Sequence, residues 1–488
     1  MSESIKKKTV KGVVWSAADA FLGYGVTFLV GIILARLLSP SEYGLIGICT
    51  IFITILTSVE NSGFSTALIR KKEVTDDDYN TMFITNLGMS VFLYLLLYLC
   101  SPWISSFFNQ IELLTLIRVM GLILIIQALS FTQVTILNKN IDFKTKTKAS
   151  FISALISGGL GIGMAVCGYG VWSLVGQQMS NRLLYTFCLW IFVRWCPHFR
   201  FNIQSFRYMW GFGWKIMISG LINNIWNQLY QVVVGKYYSA ATLGQYTRSK
   251  EYASLFSQNF TAIIQRVTYP ALSELQDDRL RLVMAYRKTI KITMFVSVVC
   301  MFFLGAVAEP LLFCLIGPKW NEAASYLPLI CVSMSLYPLH SINLNMLQVL
   351  GRSDIFLELE IIKKIIAVGP LLLGIFVDIY WMLLGSIVIG IVSFFLNTYY
   401  TGKKLDYSSW MQIKDIAPSY FIGTIVSITV YFMKYLSLSY YTILSLQFFC
   451  GICIFFTICE LMKVEEYREL KNIIYKILSK YRVLSCHF

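Results

Sequence analysis

Long runs of consecutive apolar residues recur along the whole chain, and short polar segments separate them. A helix needs about 20 predominantly apolar residues to cross a lipid bilayer, with a range of roughly 17–25. Runs of this length predict an all-α polytopic membrane protein with about 14 transmembrane helices. The predicted spans cover residues 12–35, 44–68, 82–106, 113–137, 149–168, 171–193, 213–235, 243–266, 289–313, 324–350, 358–377, 380–401, 416–435 and 440–462.

The basic residues follow a pattern along these spans. When the spans alternate in direction, 33 of the 41 Lys and Arg residues lie on one side of the membrane and seven on the other, with Arg182 inside a span. Because cytoplasmic loops are enriched in Lys and Arg, both termini are expected in the cytoplasm. A wrong number of spans would scramble this separation, so its sharpness supports an even number.

The composition agrees with a membrane protein and excludes a water-soluble enzyme. Of the 488 residues, 57% are hydrophobic and only 14% are charged, whereas an average soluble domain has about 25% charged residues. The net charge of +15 arises from short basic clusters between apolar runs. Such clusters set membrane topology. Nucleic-acid binding, which places basic patches on otherwise soluble domains, is not expected.

Neither the cysteines nor the known catalytic motifs indicate chemistry. The 12 Cys lie mostly inside apolar runs, where Cys acts as a small hydrophobic residue. Cys450 and Cys453 have the spacing of a redox or zinc motif, but no second ligand pair accompanies them. The three His are dispersed, and no P-loop, GxSxG or HExxH motif occurs. The sequence therefore predicts no catalytic residue, no metal site, no cofactor and no enzyme.

The N-terminal apolar run extends from about Gly12 to Leu38. The apolar core of a signal peptide has only about 7–15 residues. This run is therefore expected to remain as the first membrane helix.

An internal repeat relates two helix starts that lie 200 residues apart. Ala35–Gly44 aligns with Gly235–Gly244, and in each copy a span ends at a basic residue, crosses a short loop containing Ser and restarts towards Gly. Six spans separate the copies, so both have the same orientation. This is the pattern of a parallel repeat about an axis along the membrane normal, as in transporters with two equivalent bundles.

Several short motifs occur in a familiar order, and together they resemble the WzxC-like branch of the Wzx-type polysaccharide flippases. These flippases belong to the multidrug/oligosaccharidyl-lipid/polysaccharide exporter superfamily. The motifs are Ala35–Gly44 (ARLLSPSEYG), Ser65–Glu73 (STALIRKKE), Gly168–Val175 (GYGVWSLV), Arg194–Phe201 (RWCPHFRF), Tyr269–Asp278 (YPALSELQDD), Gly317–Trp320 (GPKW) and Gly351–Asp354 (GRSD). They fall mostly at helix ends and turns, so they are expected to identify the fold more than the substrate.

The resemblance implies two six-helix lobes around a central cavity, followed by two further helices. With the predicted spans, the N-lobe is 1–210, the C-lobe is 211–402, and 403–488 holds the last two spans and an amphipathic cytoplasmic tail. The resemblance also implies transport of a polyprenyl-diphosphate-linked oligosaccharide from the cytoplasmic to the periplasmic leaflet of the bacterial inner membrane. This step serves the synthesis of O-antigen, capsule or exopolysaccharide, and the two lobes alternate access. The expected partners are that lipid-linked sugar, membrane lipids and other polysaccharide assembly proteins.

Polar and ionisable residues within membrane spans are costly and usually face the bundle interior or water. The seventh and eighth spans each have a set of polar residues that falls within a helical arc of roughly 140°, as expected for the wall of a hydrated cavity. Lys250 points away from the arc of the eighth span. The sets are Asn223, Asn224, Asn227, Gln228 and Gln231 in the seventh span, and Arg248, Glu251, Tyr252, Gln258, Asn259, Gln265 and Arg266 in the eighth. Arginine suits a diphosphate, and amides, hydroxyls and aromatic rings suit sugars. The candidate substrate-binding residues are Asp19, Glu60, Asn61, Arg182, Asn224, Asn227, Gln228, Gln231, Arg248, Glu251, Tyr252 and Asn259.

Other interpretations remain open. The amides alone would also serve to hydrogen-bond helices to one another, and Arg248 and Glu251, at positions i and i+3, would neutralise each other. A multidrug exporter of the same superfamily should have an acidic cavity, yet basic and neutral polar residues outnumber the acidic candidates. A membrane glycan polymerase should have a large outer loop, and the outer loops are short. A scaffold subunit would not need the polar stripes.

Overall fold

The computed structural model describes residues 25–60, 63–472 and 475, and every regular element in these residues is helical. Two short 3-10 helices, Pro318–Trp320 and Met433–Tyr435, accompany the α-helices. The α-helices are α1 (Gly25–Leu37), α2 (Pro40–Glu60), α3 (Phe64–Arg70), α4 (Asp76–Phe108), α5 (Leu113–Lys139), α6 (Phe143–Val166), α7 (Val171–Val193), α8 (Ile203–Tyr237), α9 (Ala240–Glu274), α10 (Arg279–Ala306), α11 (Ala308–Ile316), α12 (Asn321–Ser335), α13 (Tyr337–Val349), α14 (Ser353–Ile366), α15 (Val368–Phe376), α16 (Ile379–Leu405), α17 (Ser409–Phe432) and α18 (Tyr440–Leu461).

Nine continuous or interrupted helices among the described residues have the length and hydropathy of a membrane span. They are α2 with α3, α4, α5, α6, α10, α12 with α13, α16, α17 and α18. Helices also occupy the described parts of the other five predicted ranges. Three of these, α7, α8 and α9, are long enough to span but are less apolar. Helices α8 and α9 carry the predicted polar stripes, and α7 carries Gln177, Gln178, Asn181 and Arg182. The prediction of an all-α multi-span protein is confirmed; the total of about 14 spans stays a prediction.

The outer surface of the helices is apolar. On α4, the side chains of Phe92, Leu99 and Trp103 are between 61% and 74% exposed. Contiguous apolar surface of this kind is unfavourable in water and suits the hydrocarbon interior of a bilayer. The chain is therefore a multi-span membrane protein.

Prolines interrupt three of the predicted spans. Pro310, Pro338 and Pro370 lie in the first turns of α11, α13 and α15, each of which follows a break in the preceding helix. Proline has no N–H to donate to the carbonyl four residues earlier. Pro338 therefore leaves the carbonyl of Met334 without its usual hydrogen bond within the helix. The hydroxyl of Ser257 on α9 donates to this carbonyl at 2.8 Å. The break is thus compensated by a bond from a neighbouring helix.

The chain packs as two compact units that divide between Gln245 and Tyr246. In the first unit, α4 pairs with α5 and α6 with α7, while α2 packs against α8, α5 and α7. In the second unit, α10 packs against α17, α12 and α13, and α18 packs against α17. Helix α9 begins in the first unit and continues in the second. The lobes implied by the family resemblance, with limits of 1–210, 211–402 and 403–488, stay a prediction.

The chain turns sharply after α18. Lys463 has a φ of 52°, and residues 465–472 form a further helical segment. Tyr467 and Leu470 of this segment pack against the core of the second unit. Glu469 accepts a hydrogen bond from Lys288 of α10 at 2.8 Å. The described start of the tail is therefore amphipathic, with its apolar side packed against the protein.

Candidate functional site

The first group of candidate residues lies on α2 and α7. Glu60, the last residue of α2, is fully buried. Arg182, in the middle of α7, is exposed at the surface of its helix, and it interacts electrostatically with Glu60. Helices α2 and α7 pack against each other, which places these two residues on neighbouring helices. Asp19 and Asn61 lie outside the described residues.

The second group forms a stripe along α8. Asn224, Gln228 and Gln231 are half-buried, whereas Asn227 is exposed. The side-chain oxygen Oε1 of Gln228 is buried and has no hydrogen-bond partner in the part of the chain that the structure describes. A buried amide oxygen without a partner costs about 1–3 kcal/mol. The stripe therefore has unused hydrogen-bonding capacity that water or a ligand hydroxyl would satisfy.

The third group lies on α9 in the second unit. The Arg248 guanidinium is 2.6 Å from the carboxylate of Glu251, and their side chains are 9% and 53% exposed. Tyr252 is buried and Asn259 is half-buried. The geometry matches the interpretation in which the two charges neutralise each other at i and i+3. Arg248 is thus less available to a phosphate than the accessible Arg182.

Part of the α9 stripe joins helices together. Ser249 donates a hydrogen bond to the carbonyl of Ala323 on α12 at 2.9 Å. Gln265 donates to the hydroxyl of Ser341 on α13. These bonds, with that of Ser257, fix one side of α9 to α12 and α13, as interhelical polar bonds do in membrane proteins.

Sequence reasoning missed a polar network around α10 and α17. Arg287 donates two hydrogen bonds to the nearly buried carboxylate of Asp415, at 2.5 and 2.7 Å, and the hydroxyl of Tyr407 donates to it at 2.6 Å. Nearby, Tyr286 donates to Asn343, whose amide donates to Gln412 at 3.3 Å. The available signal was the polar residues Asn343, Gln412 and Asp415 in or beside predicted spans. In the sequence, Arg287 is one of the 33 Lys and Arg residues on the predicted cytoplasmic side, and nothing distinguishes it from the others.

The sequence motifs form joints between helices. Lys71 of the Ser65–Glu73 motif lies 2.6 Å from the buried carboxylate of Asp78 at the start of α4. The Arg194–Phe201 motif contacts the same helix start, because Trp195 donates to Asp76 at 2.8 Å and the backbone N–H of His198 donates to Asn80 at 2.7 Å. These contacts stabilise helix ends, as expected for motifs that identify a fold.

The Gly351–Asp354 motif shows the same local role. Arg352 donates hydrogen bonds to Asp354 at 2.6 and 2.9 Å. These bonds lower the pKa of Asp354 to about 2, so this carboxylate is ionised at physiological pH. No group of three or more His, Cys, Asp or Glu in the described part of the chain is arranged to hold a metal ion.

The model of the polysaccharide biosynthesis protein family matches residues 33–325, which is more than half of the chain. The chain belongs to this family. The chain is similar to the succinoglycan biosynthesis transport protein ExoT of Rhizobium meliloti (strain 1021), with 25% identity over 77% of this chain and 76% of ExoT. It is 22% identical to the lipopolysaccharide biosynthesis protein WzxC of Escherichia coli (strain K12), over 84% of each chain. The resemblance read from the motifs is confirmed.

Solved structures show that this member of the polysaccharide biosynthesis protein family shares its fold with known transporters. The lipid II flippase MurJ in an inward closed conformation superposes with a TM-score of 0.72 at 15% identity, covering 94% of this chain and 99% of MurJ. An inward-facing MATE-family multidrug resistance transporter gives a TM-score of 0.60 at 18% identity, covering 82% and 99%. The likeness shows that the chain has the fold of these two transporters.

Proposed function

We propose that this protein moves a polyprenyl-diphosphate-linked oligosaccharide from the cytoplasmic to the periplasmic leaflet of a bacterial inner membrane. The observation that carries the proposal is the polar character of α7, α8 and α9, in a chain of the polysaccharide biosynthesis protein family that has nine apolar helices of spanning length among its described residues. Lipid alone would not stabilise polar side chains on helices at this depth. A polar cargo that crosses the bilayer beside these helices accounts for them.

The chemistry of the cargo matches the candidate residues. A diphosphate binds best to a planar guanidinium that donates two parallel hydrogen bonds. Arg182 is accessible for this role, and the diphosphate would supply the negative charge with which its guanidinium pairs. The amides of Asn224, Asn227 and Gln228 on α8 would donate to and accept from sugar hydroxyls.

The proposed topology has 14 spans with both termini in the cytoplasm, two lobes at 1–210 and 211–402, and two further helices with the tail in 403–488. The separation of basic residues supports this orientation. Transport then proceeds by alternating access, in which the two lobes open first to the cytoplasm and then to the periplasm. The glycan leaves with the composition that it had on entry, so no catalytic residue is required.

Loss of the gene tests this function in cells. A strain without the protein should accumulate lipid-linked oligosaccharide that is protected from enzymes added to spheroplasts, and it should lack the surface glycan. Plasmid-borne protein should reverse both effects. Accumulated substrate that is already exposed on the outer leaflet would contradict the proposal and favour polymerisation or ligation as the missing step.

A further inference from the structure

The starts of α2 and α9 cross at two glycines. A Cβ on Gly44 would overlap the carbonyl oxygen of Ala240, and a Cβ on Gly244 would overlap the carbonyl oxygen of Pro40. No real side chain occupies space at such distances, so each position accepts only glycine while the helices stay in contact. We call Pro40–Gly44 together with Ala240–Gly244 the glycine crossing.

The contact is reciprocal. Pro40 and Ala240 are equivalent positions in the two copies of the internal repeat, and so are Gly44 and Gly244. Each copy therefore supplies one glycine and one carbonyl, as two related surfaces do across a two-fold axis. A chance resemblance of two short segments would not place both pairs against each other.

Both helix starts are fixed by their own side chains. Ser39 precedes α2, and the carboxylate of Glu42 accepts hydrogen bonds from its backbone N–H and hydroxyl at 2.6 and 2.8 Å. Ser239 precedes α9 and accepts from the N–H of Thr242 at 3.1 Å. Capping of this kind completes the first turn of a helix without help from a neighbour. The two helix starts thus remain formed when they are apart.

The contact itself is close but involves little side-chain surface. Small residues allow helix backbones to approach, and weak C–H···O contacts recur in such crossings. The nearest atoms to both glycines are backbone atoms of the other helix start. The surroundings are tightly closed, since Ile48 on α2 and Leu243 on α9 are fully buried.

We propose that the glycine crossing is the closure of the transport path on the extracytoplasmic side, and that it must separate to release the glycan. The proposal rests on the proposed function, because the predicted topology assigns the loops at residues 36–39 and 237–239 to that side. In each cycle the two repeat copies part at Gly44 and Gly244 and then return to the same contact. Glycine at both positions makes the contact both tight and reversible.

Thiol labelling tests the closure without any substrate. The reporter is Ile48→Cys, one turn beyond Gly44, in a variant from which the 12 native cysteines have been removed. Addition of Gly44→Ala or Gly244→Ala should speed labelling by an impermeant external maleimide about tenfold or more, because overpacking disfavours the closed contact. Gly88→Ala is the matched control, since a Cβ there meets nothing within 4 Å. Labelling rates equal to that of the control would overturn the proposal.

A cross-link tests the closure by holding the glycine crossing shut. This experiment does not require the alanine variants to accumulate in the membrane. Ser39→Cys and Ser239→Cys in one chain should be joined by a cleavable bifunctional thiol reagent, and transport in proteoliposomes should stop. Cleavage should restore it, and the single-cysteine proteins should be unaffected by the reagent. Full transport by cross-linked protein would show that the crossing does not open.

The two proposals fail in different ways. If the unmodified protein moves no lipid-linked oligosaccharide, the proposed function is wrong, whereas the labelling experiment still reports whether the crossing opens. If the unmodified protein transports while the cross-linked protein transports equally well, only the closure is wrong.

Discussion

The guanidinium of Arg248 lies 2.6 Å from the carboxylate of Glu251, one turn further along α9. The arginine side chain is nearly buried, whereas the glutamate is more than half exposed. This asymmetry matters because loss of the partner costs more for a buried charge than for an exposed one. The pair therefore offers a way to separate a structural role from a substrate-binding role.

Removal of the glutamate should cost more stability than removal of the arginine. Glu251→Ala deprives a buried guanidinium of its carboxylate and should reduce the free energy of unfolding by about 1–3 kcal/mol. Arg248→Ala leaves an exposed carboxylate and should have a smaller effect, and the double variant should recover much of the loss. Thermal unfolding in detergent and surface display of the glycan are the measurements. Strong loss of display from Arg248→Ala at normal stability would instead make Arg248 a substrate ligand.

Arg182 should be the more important arginine for transport. Arg182→Ala removes hydrogen bonds to a charged phosphate worth about 1.5–3 kcal/mol, so transport should fall about ten- to a hundredfold while the protein remains abundant in the membrane. Arg182→Lys keeps the charge but not the planar donor pair, and should retain partial activity. Arg281→Ala, which removes an exposed surface charge, is the control. Normal glycan display from Arg182→Ala at normal abundance would exclude the phosphate role.

Substitution of Asp415 should reduce the stability of the protein rather than its transport activity. Its side chain is 5% exposed and pairs with Arg287, so Asp415→Asn should lower the free energy of unfolding by about 1.5–3 kcal/mol through loss of charged hydrogen bonds. Asp406→Asn is a matched control, because that carboxylate is 82% exposed and pairs with Arg279. Its effect should stay within about 0.5 kcal/mol. Equal losses of thermal stability in the two variants would contradict this assignment.

The predicted topology is testable at single positions. In a cysteine-free background, Lys72→Cys and Lys146→Cys should resist an impermeant thiol reagent in intact cells and react after permeabilisation. Lys319→Cys, on the opposite side in the predicted topology, should react in intact cells. Labelling of residue 72 or 146 from outside would reverse or refute the proposed orientation.

Hydropathy was sufficient to predict where the helices lie, because a span needs a fixed length of apolar sequence whatever its neighbours are. The repeat also predicted equivalent helix starts, and the structure places Gly44 and Gly244 in one reciprocal contact. The polar network was not predictable in the same way. Asp415 and Arg287 are 128 residues apart, and nothing local distinguishes an arginine that sets topology from one that pairs with a buried carboxylate.

The sequence was sufficient to name the candidate residues, but not to predict their burial or their hydrogen-bond partners. Helical periodicity places the α8 amides on one arc, but it does not show that Oε1 of Gln228 has no partner among the described residues. Nor does it show that Glu60 is buried while Arg182 is accessible. Both facts depend on how α2, α7 and α8 pack, which a single sequence does not specify.

Transport by the purified protein tests the proposed function most directly. Liposomes containing it should move a polyprenyl-diphosphate-linked oligosaccharide between leaflets, measured as the fraction that an added glycosidase or lectin can reach, and mass spectrometry should show an unchanged lipid and glycan. Arg182→Ala liposomes should remain close to protein-free liposomes. A glycan that becomes longer or is transferred to another lipid, or an unchanged leaflet distribution alongside transport of organic cations, would contradict the account.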